Sequence, residues 1–274
     1  MSSSDPVPKL SIEDIYGYPE ESLEQLDALM DTSLQPRGPD VLYDFVGKLG
    51  LGPGARVLDL GCRDGRQLLE LNRRFGCVGV GLEPLAANLN RAPESLRLVR
   101  AVGEAMPCAS GSFDLVWVRD VLVHVEPLVE AFAECRRVLR PGGAVLVFQM
   151  FATDWLDQRE ADRLWPPLSV VPQNTDREYF DEAIAAAGLR IELRDELASE
   201  WREHNEEQDD DGRSPRERRL TSRQLLWAAR LLRQPTLYKQ AWGNSLYALE
   251  LSGTLWGIYQ MLGKLSPALY LLRA

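Results

Sequence analysis

The chain has 274 residues, of which 45% are hydrophobic and 26% are charged, and its formal net charge at pH 7 is −10. The length suits one large domain or a domain with a sizeable insertion. The acidic balance argues against a nucleic-acid partner, because phosphate binding relies on Lys and Arg. No apolar run approaches the roughly 20 residues that span a bilayer, so no membrane segment is predicted.

The four cysteines are Cys62, Cys77, Cys108 and Cys135, and they include no C-x-x-C pair. This wide spacing predicts reduced thiols rather than a zinc site or a disulfide framework. The first residues lack the basic start and apolar core of a signal peptide. Both observations predict a cytoplasmic protein.

Helical and strand patterns alternate along the first two thirds of the chain. Helical spacing at 22–34 and 39–49 precedes a first strand at 56–60. The alternation that follows predicts βαβ crossovers and a parallel sheet covered on both faces. The later strands are predicted at 78–83, 96–101, 113–118, 144–149 and 189–193, with helices at 127–139 and 176–188.

The last third has helical spacing without a strong strand until 266–273. Helices are predicted at 223–232 and 245–262, with Gly253 and Gly257 as weak points. The predicted fold is α/β: a Rossmann-like, seven-stranded, mostly parallel sheet with helices on both faces and a helical insertion between the last two strands. The predicted divisions are an N-terminal segment with a lid helix (1–36), an α/β core (37–195), the helical insertion as a substrate cap (196–264) and a closing strand (265–274).

Residues 57–65, Val-Leu-Asp-Leu-Gly-Cys-Arg-Asp-Gly, form the most informative motif. An apolar run ends in an acid, passes through a glycine turn and enters a helical pattern. Glycine tolerates φ > 0 and lets backbone N–H groups approach a ligand. The spacing is not the G-x-G-x-x-G of a dinucleotide fold, and an ordinary strand-turn-helix corner would also give it. The motif resembles the first motif of class I S-adenosylmethionine (SAM) methyltransferases.

Four further motifs occur in that family's order. Glu83 ends the second strand, where a carboxylate can accept both ribose hydroxyls. Residues 103–107, Gly-Glu-Ala-Met-Pro, resemble the adenine-binding loop. Residues 119–125 follow the fourth strand, and residues 139–143, Leu-Arg-Pro-Gly-Gly, resemble the turn before the fifth. The resemblance to small-molecule class I methyltransferases covers about residues 37–150.

This resemblance implies SAM as the cofactor, S-adenosylhomocysteine (SAH) as the product and no metal. It also implies that an N-terminal tyrosine, Tyr16 or Tyr18, closes over the cofactor. The residues predicted to bind the cofactor are Tyr16, Arg37, Asp59, Gly61, Cys62, Arg63, Gly65, Glu83, Pro84, Glu104, Ala105, Met106, Arg119 and Asp120.

Two residues depart from the family pattern. Arg63 stands where the family usually has glycine. Its side chain either crowds the methionine end of the cofactor or pairs with the cofactor carboxylate, and the sequence leaves both open. Cys108 stands where an aromatic or apolar residue is common, and we expect it to pack as a small hydrophobe.

Methyl transfer from a sulfonium needs alignment of donor and acceptor, and a base only if the acceptor must lose a proton. His124 is the candidate base, although in the family a histidine there often supports the loop. His204 is expected on the surface. Five of the seven tryptophans lie in 155–242, which favours an apolar or aromatic substrate. The predicted pocket residues are Phe148, Phe151, Trp155, Trp201 and Trp242, from a wider set with Trp165, Tyr179, Trp227, Trp256 and Tyr259.

The predicted function is SAM-dependent methyl transfer to an O, N or C atom of a small molecule in natural-product biosynthesis. One alternative keeps the SAM fold without methyl transfer, as in a cyclase, and another is a non-enzymatic SAM-binding module. A macromolecular methyltransferase is opposed by the acidic charge and by the missing Asn/Asp-Pro-Pro-aromatic motif. The oligomeric state, a homo-oligomer included, is left open.

Overall fold

The computed structural model describes residues 9–13, 17, 36–207 and 220–274. The chain divides into two compact units, Met1–Pro36 and Arg37–Ala274. The predicted lid tyrosines, Tyr16 and Tyr18, lie outside the described residues, as does nearly all of the predicted lid helix. The predicted division points stay predictions.

One seven-stranded sheet organises the second unit. Its strands are β1 (Arg56–Leu60), β2 (Val78–Leu82), β3 (Arg97–Val99), β4 (Phe113–Arg119), β5 (Leu139–Ala152), β6 (Arg190–Glu196) and β7 (Leu265–Arg273). Their order is β3-β2-β1-β4-β5-β7-β6. The first five strands pair in parallel, whereas β7 runs antiparallel to both β5 and β6. The predicted Rossmann-like, mostly parallel sheet is confirmed.

The helices of the described residues are α1 (Asp40–Lys48), α2 (Arg66–Phe75), α3 (Ala86–Leu89), α4 (Leu128–Val138), α5 (Gln158–Leu164), α6 (Arg177–Ala186), α7 (Glu200–Glu207), α8 (Thr221–Arg233) and α9 (Pro235–Met261). Short 3₁₀ turns lie at Leu122–His124, Pro166–Leu168 and Pro172–Thr175. In chain order α7, α8 and α9 come between β6 and β7.

Helices cover both faces of the sheet because strand side chains alternate between them. On one face Val118 of β4 lies in an apolar core with Phe132 of α4. On the other face Trp117 lies in a second core with Leu42 of α1 and Leu71 of α2. A third apolar cluster joins α5, α8 and α9 and includes Leu255.

The start of β5 differs from the prediction. The strand begins at Leu139 and not at residue 144. The Pro-Gly-Gly corner does not end the strand but forms a bulge in its pairing with β4. Gly142 has a φ of 82°, and a Cβ on Gly143 would lie 3.0 Å from the carbonyl oxygen of Arg140. The two glycines therefore let the chain turn inside the strand.

Helix α9 also differs, since it begins at Pro235 and is broken at Gly243, with φ 79° and ψ 166°. Neither Gly253 nor Gly257 breaks it. Gly257 serves close packing instead, because a Cβ there would lie 1.9 Å from Oε1 of Gln224. Gly243 is exposed, and nothing lies within 4 Å of a Cβ built on it.

Candidate functional site

A cavity of about 940 Å³ opens at the carboxyl ends of the central strands. Its walls include Gly61 after β1, Glu83 after β2, Arg119 at the end of β4 and Phe148 near the end of β5. The strand order reverses between β1 and β4, which is where ligands bind in open α/β sheets. Its volume is within the range of small-molecule sites, at about 300–1,000 Å³.

The glycine turn after β1 forms one edge of this cavity. Gly61 and Gly65 have φ of 74° and 80°, in the left-handed region that favours glycine. A Cβ on Gly61 would lie 2.2 Å from Cγ2 of Val121, and one on Gly65 would lie 2.3 Å from Cδ1 of Leu96. Both conformation and space therefore require glycine at these two positions.

Glu83 is held in a fixed orientation on the cavity wall although only 4% of it is exposed. Its Oε2 accepts the backbone N–H of Arg63 at 3.1 Å, which ties β2 to the glycine turn. Its Oε1 accepts the backbone N–H of Leu85 at 3.1 Å and the side-chain amide of Asn88 at 3.0 Å. These bonds use three of the roughly four acceptor sites of the carboxylate, so Oε2 keeps one site for a hydroxyl of a ligand.

Arg63 has a φ of 51°, which explains why glycine would be the easier residue there. Its side chain is exposed and lines the cavity. Arg63 is therefore placed where its side chain can reach a ligand in the cavity.

Asp59 precedes the turn, but its carboxyl group lies off the cavity wall. It is 1% exposed, and its Oδ2 has no hydrogen-bond partner among the described residues. Burial raises the pKa of Asp59 well above its usual range; the positive charge of Arg119 opposes this shift and the negative charge of Glu83 adds to it. A buried acceptor without a donor in the protein is satisfied by its own proton, by an ordered water or by a donor that a ligand brings.

The loop after β3 forms the next part of the wall. Ala101, Val102 and Glu104 line the cavity, and Glu104 is half-buried. Ala105 is exposed, whereas Met106 is buried in the first core and its N–H donates to Glu134 at 2.8 Å. The loop therefore offers Glu104 to the cavity and places Met106 in the protein interior.

An aromatic wall closes the opposite side of the cavity. Phe148 and Trp201 have ring centroids 4.7 Å apart, and the guanidinium of Arg119 lies 5.2 Å from the Trp201 ring. Trp256 of α9 also lines the cavity and packs edge-on against Trp165 at 5.9 Å. This part of the cavity suits an apolar or aromatic group.

A buried polar corner adjoins the aromatic wall. Arg202 of α7 is 7% exposed and lines the cavity, and its Nε donates to Oε1 of Gln260 at 2.8 Å. Its Nη1 donates to Oε1 of Gln224 at 3.4 Å. The two amides orient a charged side chain within an otherwise aromatic region.

His124 lies on the cavity wall in a loop that is fixed from both sides. Its Nδ1 is 3.0 Å from the carbonyl oxygen of Ser169. Since a carbonyl only accepts, Nδ1 carries the proton and Nε2 of the neutral ring keeps its lone pair. Nδ2 of the buried Asn174 donates to the carbonyls of Leu122 and Val125, each at 2.7 Å.

The structure brings half of the predicted site residues to the cavity. Those on its wall are Gly61, Arg63, Glu83, Pro84, Glu104, Arg119, Asp120, His124, Phe148 and Trp201. Those off it are Arg37, Asp59, Cys62, Gly65, Ala105, Met106, Phe151, Trp155 and Trp242. Wall residues absent from the prediction include Gln67, Asn88, Met150, Ser169, Arg202, Asn205 and Gln260.

Physical reasons account for the residues that lie off the wall. Arg37 is held by Asp195 at 2.6 Å and Glu200 at 2.5 Å. Phe151 is fully buried on the opposite face of β5, against the ring of Phe180. Trp155 and Trp242 are 68% and 42% exposed, respectively.

The thiol of Cys62 in the turn is buried, and that of Cys108 after the β3 loop is partly covered. Burial raises the pKa of the Cys62 thiol to about 12, so it is an unreactive thiol beneath the turn. Cys108 is half-buried and packs against the first core. Within residues 9–13, 17, 36–207 and 220–274 there is no group of three or more His, Cys, Asp or Glu placed to hold a metal.

Residues 58–147 match the family model described as "Methyltransferase domain". That segment runs from β1 into β5 and contains the glycine turn, Glu83, Glu104 and Arg119. The resemblance seen in the sequence is therefore confirmed at the level of the methyltransferase domain that this segment matches.

Two curated relatives carry the same region. A sterol 24-C-methyltransferase of Gibberella zeae is 28% identical over 165 residues, which are 55% of this chain and 43% of that protein. A malonyl-[acyl-carrier protein] O-methyltransferase of Enterobacter lignolyticus is 35% identical over 166 residues, which are 58% of this chain and 62% of that protein. The match thus spans about half the length of these relatives.

A solved structure extends the likeness beyond the matched segment. Geranyl diphosphate methyltransferase in complex with SAM superposes with a TM-score of 0.60 and 17% identity, over 84% of this chain and 83% of that chain. Identity at this level shows the shared fold alone.

Proposed function

We propose that this protein transfers a methyl group from SAM to a small acceptor held between the central strands and helices α7 and α9. The observation that carries the proposal is the buried Glu83 carboxylate, fixed beside the glycine turn on the wall of a cavity of about 940 Å³. The methyltransferase domain match over residues 58–147 supports the same activity.

The residues around the turn fit SAM. Glu83 would accept a ribose hydroxyl, and Glu104 would face the adenine edge. The buried Oδ2 of Asp59 lies off the cavity wall, so it stays outside this contact and is left to a proton or an ordered water. When bound, SAM supplies a methyl group already activated on a sulfonium.

The chain's own contribution is alignment and the exclusion of water. Alignment of this kind is worth on the order of 7–11 kcal/mol in a bimolecular reaction. Phe148, Trp201 and Trp256 would hold an apolar or aromatic acceptor, and Arg202 would fix a polar group at one end of it. His124 can accept a proton at Nε2 if the acceptor atom must lose one, and its bond to Ser169 holds the loop in either case.

Three finer expectations belong to this proposal. The site works without a metal, the protein acts in the cytoplasm, and the acceptor is a small molecule of natural-product metabolism rather than a nucleic acid. The acceptor atom, O, N or C, follows from the substrate, and the shortage of histidines suits an acceptor that needs little help from a base.

SAM binding measured by calorimetry is the first test. Glu83→Gln removes one charged acceptor, and we expect SAM affinity to fall about 10- to 100-fold, since hydrogen bonds to a charged group contribute about 1.5–3 kcal/mol. Glu130→Gln, an exposed position on α4, is the matched control and should bind SAM as the unmodified protein does. Equal affinity of both variants would reject the assigned cofactor site.

The second test incubates the protein with SAM and a panel of aromatic and apolar acceptors, and measures the SAH and the methylated product that form. Methyl transfer predicts one SAH for each methylated product. Turnover of an acceptor without SAH would instead support a cyclase-like use of the same fold, and SAM binding without any turnover would support a binding module.

A further inference from the structure

An unusual share of exposed apolar side chains lies on helices α8 and α9. Of the sixteen large apolar residues exposed among the described part of the chain, seven fall within residues 225–249, far more than scattered exposure would give. We name this surface the outer cap face. Its apolar members are Leu225, Leu226, Leu232, Leu237, Trp242, Leu246 and Leu249.

The same surface is basic in an acidic protein. Residues 220–249 contain Arg223, Arg230, Arg233 and Lys239 and no Asp or Glu, although the whole chain carries −10. All four basic residues are exposed. Exposed apolar side chains interspersed with cations are the combination that binds anionic bilayers at their surface.

The most exposed part of the outer cap face is one stretch of α9. From Thr236 to Leu246 every residue is exposed except Tyr238, which is half-buried, and the break at Gly243 falls within this stretch. The rings of Tyr238 and Trp242 are 5.0 Å apart at the same place. Tyrosine and tryptophan favour the level of lipid headgroups, so this pair of rings suits contact with a bilayer surface.

We propose that the outer cap face docks on the surface of an anionic lipid bilayer. This contact needs no spanning helix, and in the described part of the chain no helix is long and apolar enough to cross a membrane. It therefore departs from the sequence expectation of a protein without membrane contact. Further along the same helix, Trp256 and Gln260 line the cavity, so docking would bring the acceptor side of the site close to apolar molecules in the bilayer.

Co-sedimentation with vesicles tests the docking without requiring methyl transfer. We expect the full chain to bind vesicles of phosphatidylcholine and phosphatidylglycerol, to bind pure phosphatidylcholine at least about tenfold more weakly, and to lose affinity as salt is added. Arg230→Gln with Arg233→Gln should weaken binding about 30-fold, which corresponds to two charges at about 1 kcal/mol each. Arg91→Gln with Arg97→Gln makes the same charge change on exposed residues elsewhere and should leave binding within about twofold.

A second pair of variants tests the apolar contribution. Leu237→Ser with Leu246→Ser should weaken vesicle binding at least about tenfold, while Leu69→Ser with Val99→Ser, also exposed, should not. Thermal unfolding of each variant checks that it is folded.

Two results would overturn the proposal. One is absent or charge-independent vesicle binding, including the case in which a soluble acidic carrier protein binds this face and vesicles do not. The other is a dimer in light scattering that Leu237→Ser with Leu246→Ser dissolves, which would show that the face contacts a second copy. SAM affinity measured on the same variants separates failure of docking from failure of the proposed activity.

Discussion

The two sides of the cavity are built in different ways. On the proposed cofactor side, Gly61 and Glu83 come directly after β1 and β2, and Glu104 lies in the loop after β3, so the sheet places them. On the acceptor side, Arg202 and Gln260 come from α7 and α9, and only the packing of helices brings them together. The cofactor side is therefore fixed by backbone geometry, whereas the acceptor side depends on side chains that can be exchanged while the sheet stays the same.

The largest expected effect is on the backbone of the cofactor side. Gly61→Ala places a Cβ 2.2 Å from Cγ2 of Val121 at a φ of 74°, and we expect the free energy of unfolding to fall by about 2–4 kcal/mol. Gly50→Ala is the control, because its φ is 66° but nothing lies within 4 Å, so about 1 kcal/mol should be lost. Equal losses in denaturant titrations would contradict the crowding at Gly61.

Asp59 should make stability depend on pH. Its pKa is raised by burial, so as the pH rises above about 4 the unfolded chain loses this proton while the folded chain keeps it. This contribution lowers stability by up to about 1.4 kcal/mol per pH unit until the pKa of the folded state is reached. Asp59→Asn removes it, so the variant should gain stability over the unmodified protein as the pH rises from 4 to 7. The exposed Asp154→Asn should show no such trend, and a pH-independent gain at Asp59 would contradict the raised pKa.

Gly257→Ala examines the acceptor side. The added Cβ would lie 1.9 Å from Oε1 of Gln224 and 2.8 Å from Nη2 of Arg202, so the polar corner must shift. We expect the KM for the acceptor to rise about tenfold while SAM affinity stays within about twofold. Gly253→Ala on the same helix meets nothing within 4 Å and should instead stabilise the protein by about 0.5–1 kcal/mol. A loss of SAM affinity at Gly257→Ala would mean that the two sides are coupled.

His124→Ala distinguishes a base from a loop support. The bond to Ser169 indicates support, so kcat should fall less than about tenfold, whereas a general base contributes about 10²–10⁴-fold. His204→Ala, off the cavity wall, should leave kcat unchanged. A larger loss at His124 together with a changed pH profile would assign it the proton transfer.

Arg63→Gly should have the smallest effect on stability. It removes a non-glycine residue at a φ of 51°, and we expect a gain of about 1 kcal/mol or less. Because Arg63 is exposed on the cavity wall, we expect its guanidinium to pair with the cofactor carboxylate, so SAM affinity should fall several-fold in Arg63→Gly and less in Arg63→Lys. Tighter binding by Arg63→Gly would show crowding instead.

Local patterns were enough to predict the sheet and to place Gly61 and Glu83 on the cavity wall. The turn at Gly61 can be recognised in the sequence because its positive φ favours glycine. Glu83 can be recognised because it follows the apolar run of β2. Strand alternation could also have improved the pocket prediction. Phe148 and Phe151 are an odd number of residues apart on β5 and so face opposite ways, whereas Met150 shares the face of Phe148 and lines the cavity with it.

The acceptor side could not be predicted in this way. Arg202, Gln224 and Gln260 lie on three helices and meet only after those helices pack. Helical periodicity marks Gln224 and Gln260 as interior positions but says nothing about which partner they will meet. The break at Gly243 was missed for a related reason, since an exposed glycine and a tightly packed one look alike in sequence.

The break at Gly243 has a consequence for how such a protein can diversify. The part of α9 that follows it runs through Gly263 into β7, and nine paired residues fix β7 to β5, the strand that carries Phe148. The part that precedes it is solvent-exposed for almost its whole length. A different segment can therefore replace the part of α9 before Gly243. Such a replacement would change the outer cap face and its partner, while the cavity stays the same.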